Sequence, residues 1–262
     1  MIPPLFLCHG APTLILEDIP YARFLIELGA SLQPKGIILF SAHWEAEFTT
    51  LSRRDSQYPM IYDFGGFDPV LRQYVHPARG SIALADQALA ALKAQGIPCQ
   101  GDEKRGLDHG AWNVLALLDP EGKIPVVQAS VNPFHPMEEQ LAIGRALSGL
   151  ALEDILILGS GSTVHNLSAI QWGATAPADW AMAFDDWMEE RILAGNEEEL
   201  CRYRELAPYA RQAVPREEHL APLFLAMGAG GGVPGEVLHR SYGYGTLTYA
   251  AYQFPGEGKR KD

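Results

Sequence analysis

The sequence predicts an α/β fold, a single domain with a mostly parallel central sheet flanked by helices. Two observations predict it. Short, branched apolar runs bounded by turn residues alternate with longer stretches of helical periodicity, an order that implies parallel strands joined by right-handed crossovers. The 262 residues, 47% apolar and 20% charged, can also bury one large core, and no linker rich in Pro, Gly and Ser divides them.

The elements follow in order. Leu5–Cys8 and Gly36–Ala42 read as buried strands, as do Ile124–Ser130 and Asp154–Gly159. Helices are expected over Tyr21–Leu32, Ser81–Ala94, Ala111–Leu118 and Met137–Leu150. Beyond Ala178 the pattern is helical over Asp179–Ala194, Glu197–Glu205 and Glu217–Met227. The chain then closes with an antiparallel pair, Glu236–Arg240 and Gly245–Phe254, joined across Ser241–Tyr244. One domain over residues 1–262 is expected, with a frayed basic tail at 255–262.

Asp and Glu number 32 against 20 Lys and Arg, a formal net charge of −12. That balance argues against nucleic acid and anionic lipid as partners, because both repel an acidic surface. No apolar stretch approaches the roughly 20 residues of a membrane span. Met1-Ile2-Pro3-Pro4 carries no basic region of a signal peptide, and Cys8, Cys99 and Cys201 form no disulfide or zinc pattern. A cytoplasmic location is the expectation.

In α/β sheets, ligands bind outside the carboxyl ends of the strands. Of the eight histidines, His9 directly follows the first strand, His43 closes the second, and His165 comes a few residues past Asp154–Gly159. Three separate strands thus deliver imidazoles to one end of one sheet. Single histidines are more often structural, and His76, His135 and His239, in Pro-containing or polar sequence, keep that reading. His219 opens the expected helix at Glu217, where it either faces a cleft or sits on a capped surface helix. His109 lies in Gly106-Leu107-Asp108-His109-Gly110 at a helix entrance, with Asp108 either orienting it or, on general grounds, capping the helix. Gly159-Ser160-Gly161-Ser162 lacks the following Lys of a P-loop and the spacing of a serine nucleophile elbow. Phe64-Gly65-Gly66-Phe67 reads as a tight loop, of a kind that can wall a pocket.

Six segments in this order carry a resemblance: His9-Gly10-Ala11-Pro12, Ser41-Ala42-His43-Trp44, Asp63-Phe64-Gly65-Gly66-Phe67, Asp108-His109-Gly110-Ala111-Trp112, Gly159 through Leu167, and Glu218-His219. Together they resemble the class III extradiol ring-cleavage dioxygenases of the DOPA 4,5-dioxygenase type, over about residues 3–254. The resemblance implies an enzyme that inserts both atoms of O2 into a catechol-type ring to give a muconic semialdehyde. It implies one divalent metal per chain, Fe(II) for catalysis or Zn(II) as bound, with a small aromatic diol and O2 as partners. By the same resemblance His9, His43 and His219 are metal ligands, His165 is a fourth ligand or a base, and His109 is an acid or hydrogen-bond donor. The wider superfamily often has a carboxylate as third ligand, for which Glu217 or Glu218 are possible substitutes here. Cys8 is expected to be a buried, inert thiol. A zinc-dependent hydrolase on the same scaffold and a non-catalytic metal-binding module are the alternatives.

Overall fold

The computed structural model describes residues 2–174, 176–232 and 234–255. The tail expected to fray lies outside these residues except for Pro255. The first half of the chain supplies β1 (Leu5–Cys8), α1 (Pro20–Ser31), β2 (Gly36–Glu45), β3 (Thr49–Ser52), α2 (Ile82–Ala94), β4 (Cys99–Asp102) and α3 (His109–Leu118). Next come β5 (Val126–Val131), α4 (Met137–Ala146), α5 (Ser148–Leu152), β6 (Ile155–Gly161) and α6 (Asp179–Ala194). The short α7 (Glu197–Cys201), α8 (Tyr203–Leu206) and α9 (Ala210–Ala213) lead to α10 (Ala221–Ala229) and the hairpin β7 (Glu236–Gly243) and β8 (Leu247–Gln253).

One eight-stranded sheet runs β4-β3-β5-β2-β6-β1-β8-β7. Its centre, β5-β2-β6-β1, is parallel, while β8 joins β1 antiparallel and β3 joins β5 antiparallel. The central strands are apolar on both faces. Leu5, Leu7, Ile37 and Leu39 pack into the core that includes Tyr21, Leu25, Trp112 and Leu115 of α1 and α3. Phe6, between them in sequence, belongs to a second core with Phe184 of α6 and Phe224 of α10, and Ile38 and Phe40 to a third with Leu225. Burial on both faces replaces alternation by continuous apolar runs, and those runs are what the sequence displays.

The structure departs from the sequence expectations at particular places. Two strands, β3 and β4, had no counterpart there. The helix expected over Met137–Leu150 breaks at Leu147 into α4 and α5, and that over Glu197–Glu205 breaks at Arg202 into α7 and α8. The helix expected from Glu217 begins instead at Ala221, with Pro222 in its first turn. Pro there lacks an N–H the first turn does not need, whereas deeper in a helix its ring would clash with the carbonyl four residues earlier. Among the described residues no helix is long and apolar enough to cross a membrane.

Candidate metal centre and active site

The parallel centre of the sheet points its carboxyl ends at one region, and five histidines meet there. His9 immediately follows β1. Its backbone is fixed by Asn113, whose Nδ2 donates to the carbonyls of His9 and Ala11 at 2.7 Å each. Gly10 turns the chain away at φ +65°, a conformation that favours glycine. His43 lies near the end of β2, where the register with β5 shifts between Phe40 and Glu45. There the Ser41 hydroxyl receives the His43 amide at 3.2 Å and donates to Asp108 at 2.6 Å, and Arg105 holds the His43 carbonyl at 2.9 Å.

Asp108 itself is buried. Its carboxylate caps α3 by accepting from Ala111 N at 3.1 Å, and it also accepts from Arg105 and Gln128. It therefore caps the helix that begins with His109 and braces the strand end that carries His43. The capping expectation holds, and the second task is one that sequence spacing did not show.

His219 sits in the turn just before α10, 4% exposed, so the surface-helix reading is set aside. The glycines of β6 make this placement possible. A Cβ on Gly161 would lie 2.1 Å from the His219 carbonyl, and one on Gly159 would lie 2.1 Å from that of Pro222. Ser162 N donates to the same His219 carbonyl at 2.8 Å. The Gly-Ser-Gly-Ser run is thus a flat bed on which the His219 turn rests.

The imidazoles of His9, His43 and His219 converge, with one ligand nitrogen from each lying within 4.8 Å of the others. His43 Nε2 is 3.2 Å from His9 Nε2 and 3.2 Å from His219 Nε2. Each ring turns its Nδ1 to an oxygen: His9 to Ser160 Oγ at 3.2 Å, His43 to Asp63 Oδ2 at 3.2 Å and His219 to Glu218 Oε1 at 3.1 Å. Ser160 donates its own hydroxyl hydrogen to the Gly110 carbonyl, so toward His9 it accepts. All three rings are therefore set with hydrogen on Nδ1 and a lone pair on Nε2. Three inward lone pairs held by outer oxygens repel one another unless a cation lies between them, which is the arrangement that suits a divalent metal.

Glu218 touches His219 from behind, and Glu217 pairs with Arg204 and with the Tyr203 hydroxyl at 2.8 Å. Neither carboxylate joins His9 and His43, but Glu218 lies within ligand distance of His165 and His219 in a neighbouring group that could also hold an ion. Among the described residues, His219 completes the three-histidine group.

His165 stands beside that triangle. Its ring stacks on His219 with centroids 3.4 Å apart and planes 10° apart, and its Nδ1 is 3.8 Å from Glu218 Oε1. Burial, with His43 and His109 as further causes, lowers its pKa to about 4, so it is neutral at pH 7. His109, the first residue of α3, gives Nδ1–H to Asp63 Oδ1 at 2.9 Å, and its backbone N–H reaches the same oxygen at 3.1 Å. Burial lowers the pKa of His109 against the opposing pull of Asp63. Burial likewise holds His9 and His219 well below the usual histidine range, reinforced by neighbouring imidazoles.

Asp63 is the functional-looking residue whose part the sequence did not disclose. It lies in the long loop between β3 and α2, well past the end of a strand, yet it accepts from both His43 and His109. Burial pushes its carboxyl up, but hydrogen bonds from the two rings, and their charge, outweigh that and hold it below the ordinary range. The remaining histidines stay apart from the centre. His76 bonds the Asp119 carbonyl at 2.9 Å, His135 neighbours Glu139, and His239 packs on Tyr21 and Phe24. Cys8 is fully buried and burial raises its thiol to about 11, as an inert thiol requires.

A cavity of about 380 Å³ opens over the five histidines, walled in part by Phe64 and Phe67 of the glycine loop and by Trp172 and Tyr244 opposite. Fold and site together define an α/β protein with a histidine centre suited to a divalent cation beneath a pocket of small-molecule size. Comparison with known proteins specifies the class. Residues 20–255 match the family described as the catalytic LigB subunit of aromatic ring-opening dioxygenase. A Beta vulgaris protein named 4,5-DOPA dioxygenase extradiol is 38% identical, covering 95% of each chain. An Escherichia coli K12 protein of the same name is 37% identical over 87% of this chain and 85% of its own. The crystal structure of an uncharacterised Escherichia coli K12 protein superposes with a TM-score of 0.82 at 30% identity, covering 97% of this chain and all of the other. This chain belongs to the LigB family of aromatic ring-opening dioxygenases.

Proposed function

We propose that this protein opens a catechol-type aromatic ring at the bond beside its two hydroxyls, adding both atoms of O2 to give a muconic semialdehyde. The observation that carries the reading is the triangle of Nε2 lone pairs beneath an aromatic-walled cavity, with His165 and His109 beside it. His9, His43 and His219 would hold the metal, and three protein ligands leave positions open for two catechol oxygens and O2. Fe(II) is the metal proposed for catalysis, because when bound it supplies both Lewis acidity and an electron path to O2 that redox-silent zinc lacks.

The chain's own groups divide the remaining work. His165, neutral at pH 7, accepts a catechol hydroxyl proton on Nε2, the nitrogen remote from Glu218. His109, anchored through Nδ1–H, carries a proton on Nε2 to or from the reacting ring, and Asp63 stabilises the imidazolium formed in passage. Phe64, Phe67 and Trp172 exclude water from the ring and orient its plane. Ser160, Asp63 and Glu218 keep the three inward lone pairs aligned.

The test loads metal-free protein with Fe(II) under anaerobic conditions, adds catechols, and then follows O2 uptake and the yellow semialdehyde. Uptake with colour is expected, and zinc-loaded protein should be silent. In the same assay His165→Ala should retain metal while turnover falls by about 10²–10⁴-fold. No uptake with any catechol, together with ester or amide cleavage by the zinc-loaded protein, would replace this reading by a hydrolase.

A further inference from the structure

One face of α6 is apolar at helical spacing, with Ala181, Phe184, Met188 and Ile192 in the second core. Asp185 falls on that face and is completely buried. A carboxyl group there is costly unless its oxygens are paired, and an apolar residue of similar volume often serves stability as well. What an acid adds at this position is the set of groups its two oxygens reach.

Oδ1 accepts from the Thr163 hydroxyl at 2.7 Å. Oδ2 accepts from the Tyr242 hydroxyl at 3.1 Å and from Arg240 Nε at 2.7 Å. Arg240, on β7, also pairs with Asp186 and Glu189 of α6, so the hairpin is fastened to the helix around this carboxyl group. Each arm ends two residues short of the cavity wall. Thr163 stands two positions before His165 and Tyr242 two before Tyr244, and both His165 and Tyr244 line the cavity.

The His165 ring is held only loosely by its own contacts. It stacks on His219, and its Nδ1 is 3.8 Å from Glu218, beyond hydrogen-bond length. Its backbone therefore sets where the ring lies. His165 N donates to the Ala213 carbonyl at 2.9 Å, Thr163 is tied to Asp185, and Val164 between them is buried in the core that holds Phe184. On the other arm Tyr244 adopts φ +52°, uncommon for so large a side chain, and its carbonyl accepts from Gln171 N at 2.9 Å. A backbone of that kind persists where the surrounding structure holds it.

We infer that Asp185 is a positioning residue of this site, holding the base His165 through Thr163 and the Tyr244 wall through Tyr242 and Arg240. It touches no reacting atom. The kinetic part of this role rests on the dioxygenase reading. Two arms on two oxygens should give two separable effects.

The experiment cuts one arm at a time in iron-loaded protein, with DOPA and catechol as probes. Thr163→Val removes the hydroxyl and keeps the shape. It should lower kcat about 10–100-fold, the order of cost for misplacing a reacting group by about 1 Å, while KM and iron affinity stay within about twofold. Thr163→Ser should retain kcat. In a His165→Ala background Thr163→Val should cost nothing further, because groups that act as a unit are not additive. Tyr242→Phe should instead raise KM about three- to tenfold and leave kcat within about twofold. Asp185→Asn keeps an acceptor for Thr163 but turns an N–H toward Arg240, so its kinetics should follow Tyr242→Phe. A readout free of turnover is labelling of His165 by diethyl pyrocarbonate, located by mass spectrometry. It should run at least about threefold faster in Thr163→Val, through local loosening, and stay unchanged in Thr163→Ser and Tyr242→Phe. Should Thr163→Val fail to fold, Thr163→Ala is read in its place. Unchanged labelling, loss of iron together with kcat, or an equal loss of kcat with and without His165 overturns the inference. So does an unaltered KM in Tyr242→Phe, or a loss of kcat in Asp185→Asn. Absence of turnover of either probe by the unaltered protein would count against the dioxygenase reading instead, while the labelling still decides whether Thr163 holds His165.

Discussion

At the scale of single residues, the outer oxygens fix what each histidine offers. An imidazole has two nitrogens, and the one that faces a metal is set by the partner of the other. Asp63 sets two rings at once, Oδ1 receiving His109 and Oδ2 receiving His43. Asparagine keeps its shape but presents an acceptor at only one of those positions. In Asp63→Asn, one ring must therefore face an amide N–H and either flip its tautomer or lose its anchor. Metal affinity should fall about 10–100-fold, measured by chelator competition, with turnover falling in parallel. The metal-free variant should also melt at a lower temperature, because Asp63 accepts from both rings and its lowered pKa marks a stabilising contribution at neutral pH. Unchanged affinity and turnover would show that the orienting role belongs to other groups.

At the scale of elements, the close contact between β6 and the turn before α10 decides where His219 lies. Gly161→Ala places a methyl group 2.1 Å from the His219 carbonyl, so the turn must move outward. The expected cost is about 1–3 kcal/mol in stability, as for other overpacked sites, with a disproportionate loss of metal affinity because one of the three proposed ligands is displaced. Denaturant unfolding and metal titration of the same variant check both; retained affinity would mean the turn yields without carrying His219 away. The sequence shows the histidines of strand ends because apolar runs mark the strands before His9 and His43. It does not show β3, which is Thr-Thr-Leu-Ser and joins β5 largely through side-chain hydroxyls, with Thr50 N donating to Ser130 Oγ and Gln128 N to Ser52 Oγ at 2.9 Å each. Nor does it show Asp63 or Ser160, whose parts exist only once distant segments meet. Glycine alternation around Ser160 was a visible signal, but close backbone approach and a phosphate loop look alike in one dimension.

For the whole molecule, collecting neutral imidazoles in one buried centre makes stability depend on pH. The folded state holds His9, His109 and His219 below the usual histidine range and His165 at about 4, in each case with burial as the largest cause. In metal-free protein the unfolded chain takes up protons on these residues as pH falls through about 6.5, while the folded state resists until pH is much lower. Their stabilising contribution is thus complete above about pH 6.5 and is lost progressively as pH falls toward 4. Asp63, held below the ordinary carboxylate range, adds a loss at lower pH still. Two buried carboxyls act in the opposite sense, since burial raises the pKa of Asp185 and Glu218, but they oppose four histidines. A metal held by His9, His43 and His219 would need two of these rings, His9 and His219, unprotonated, so its retention should weaken across the same interval. The urea midpoint of metal-free protein should therefore decline steadily from pH 7 to pH 5, and the metal-loaded protein should release its ion over that range. A flat midpoint would mean that the folded protein accepts these protons freely, a behaviour inconsistent with a closed centre of inward-facing lone pairs.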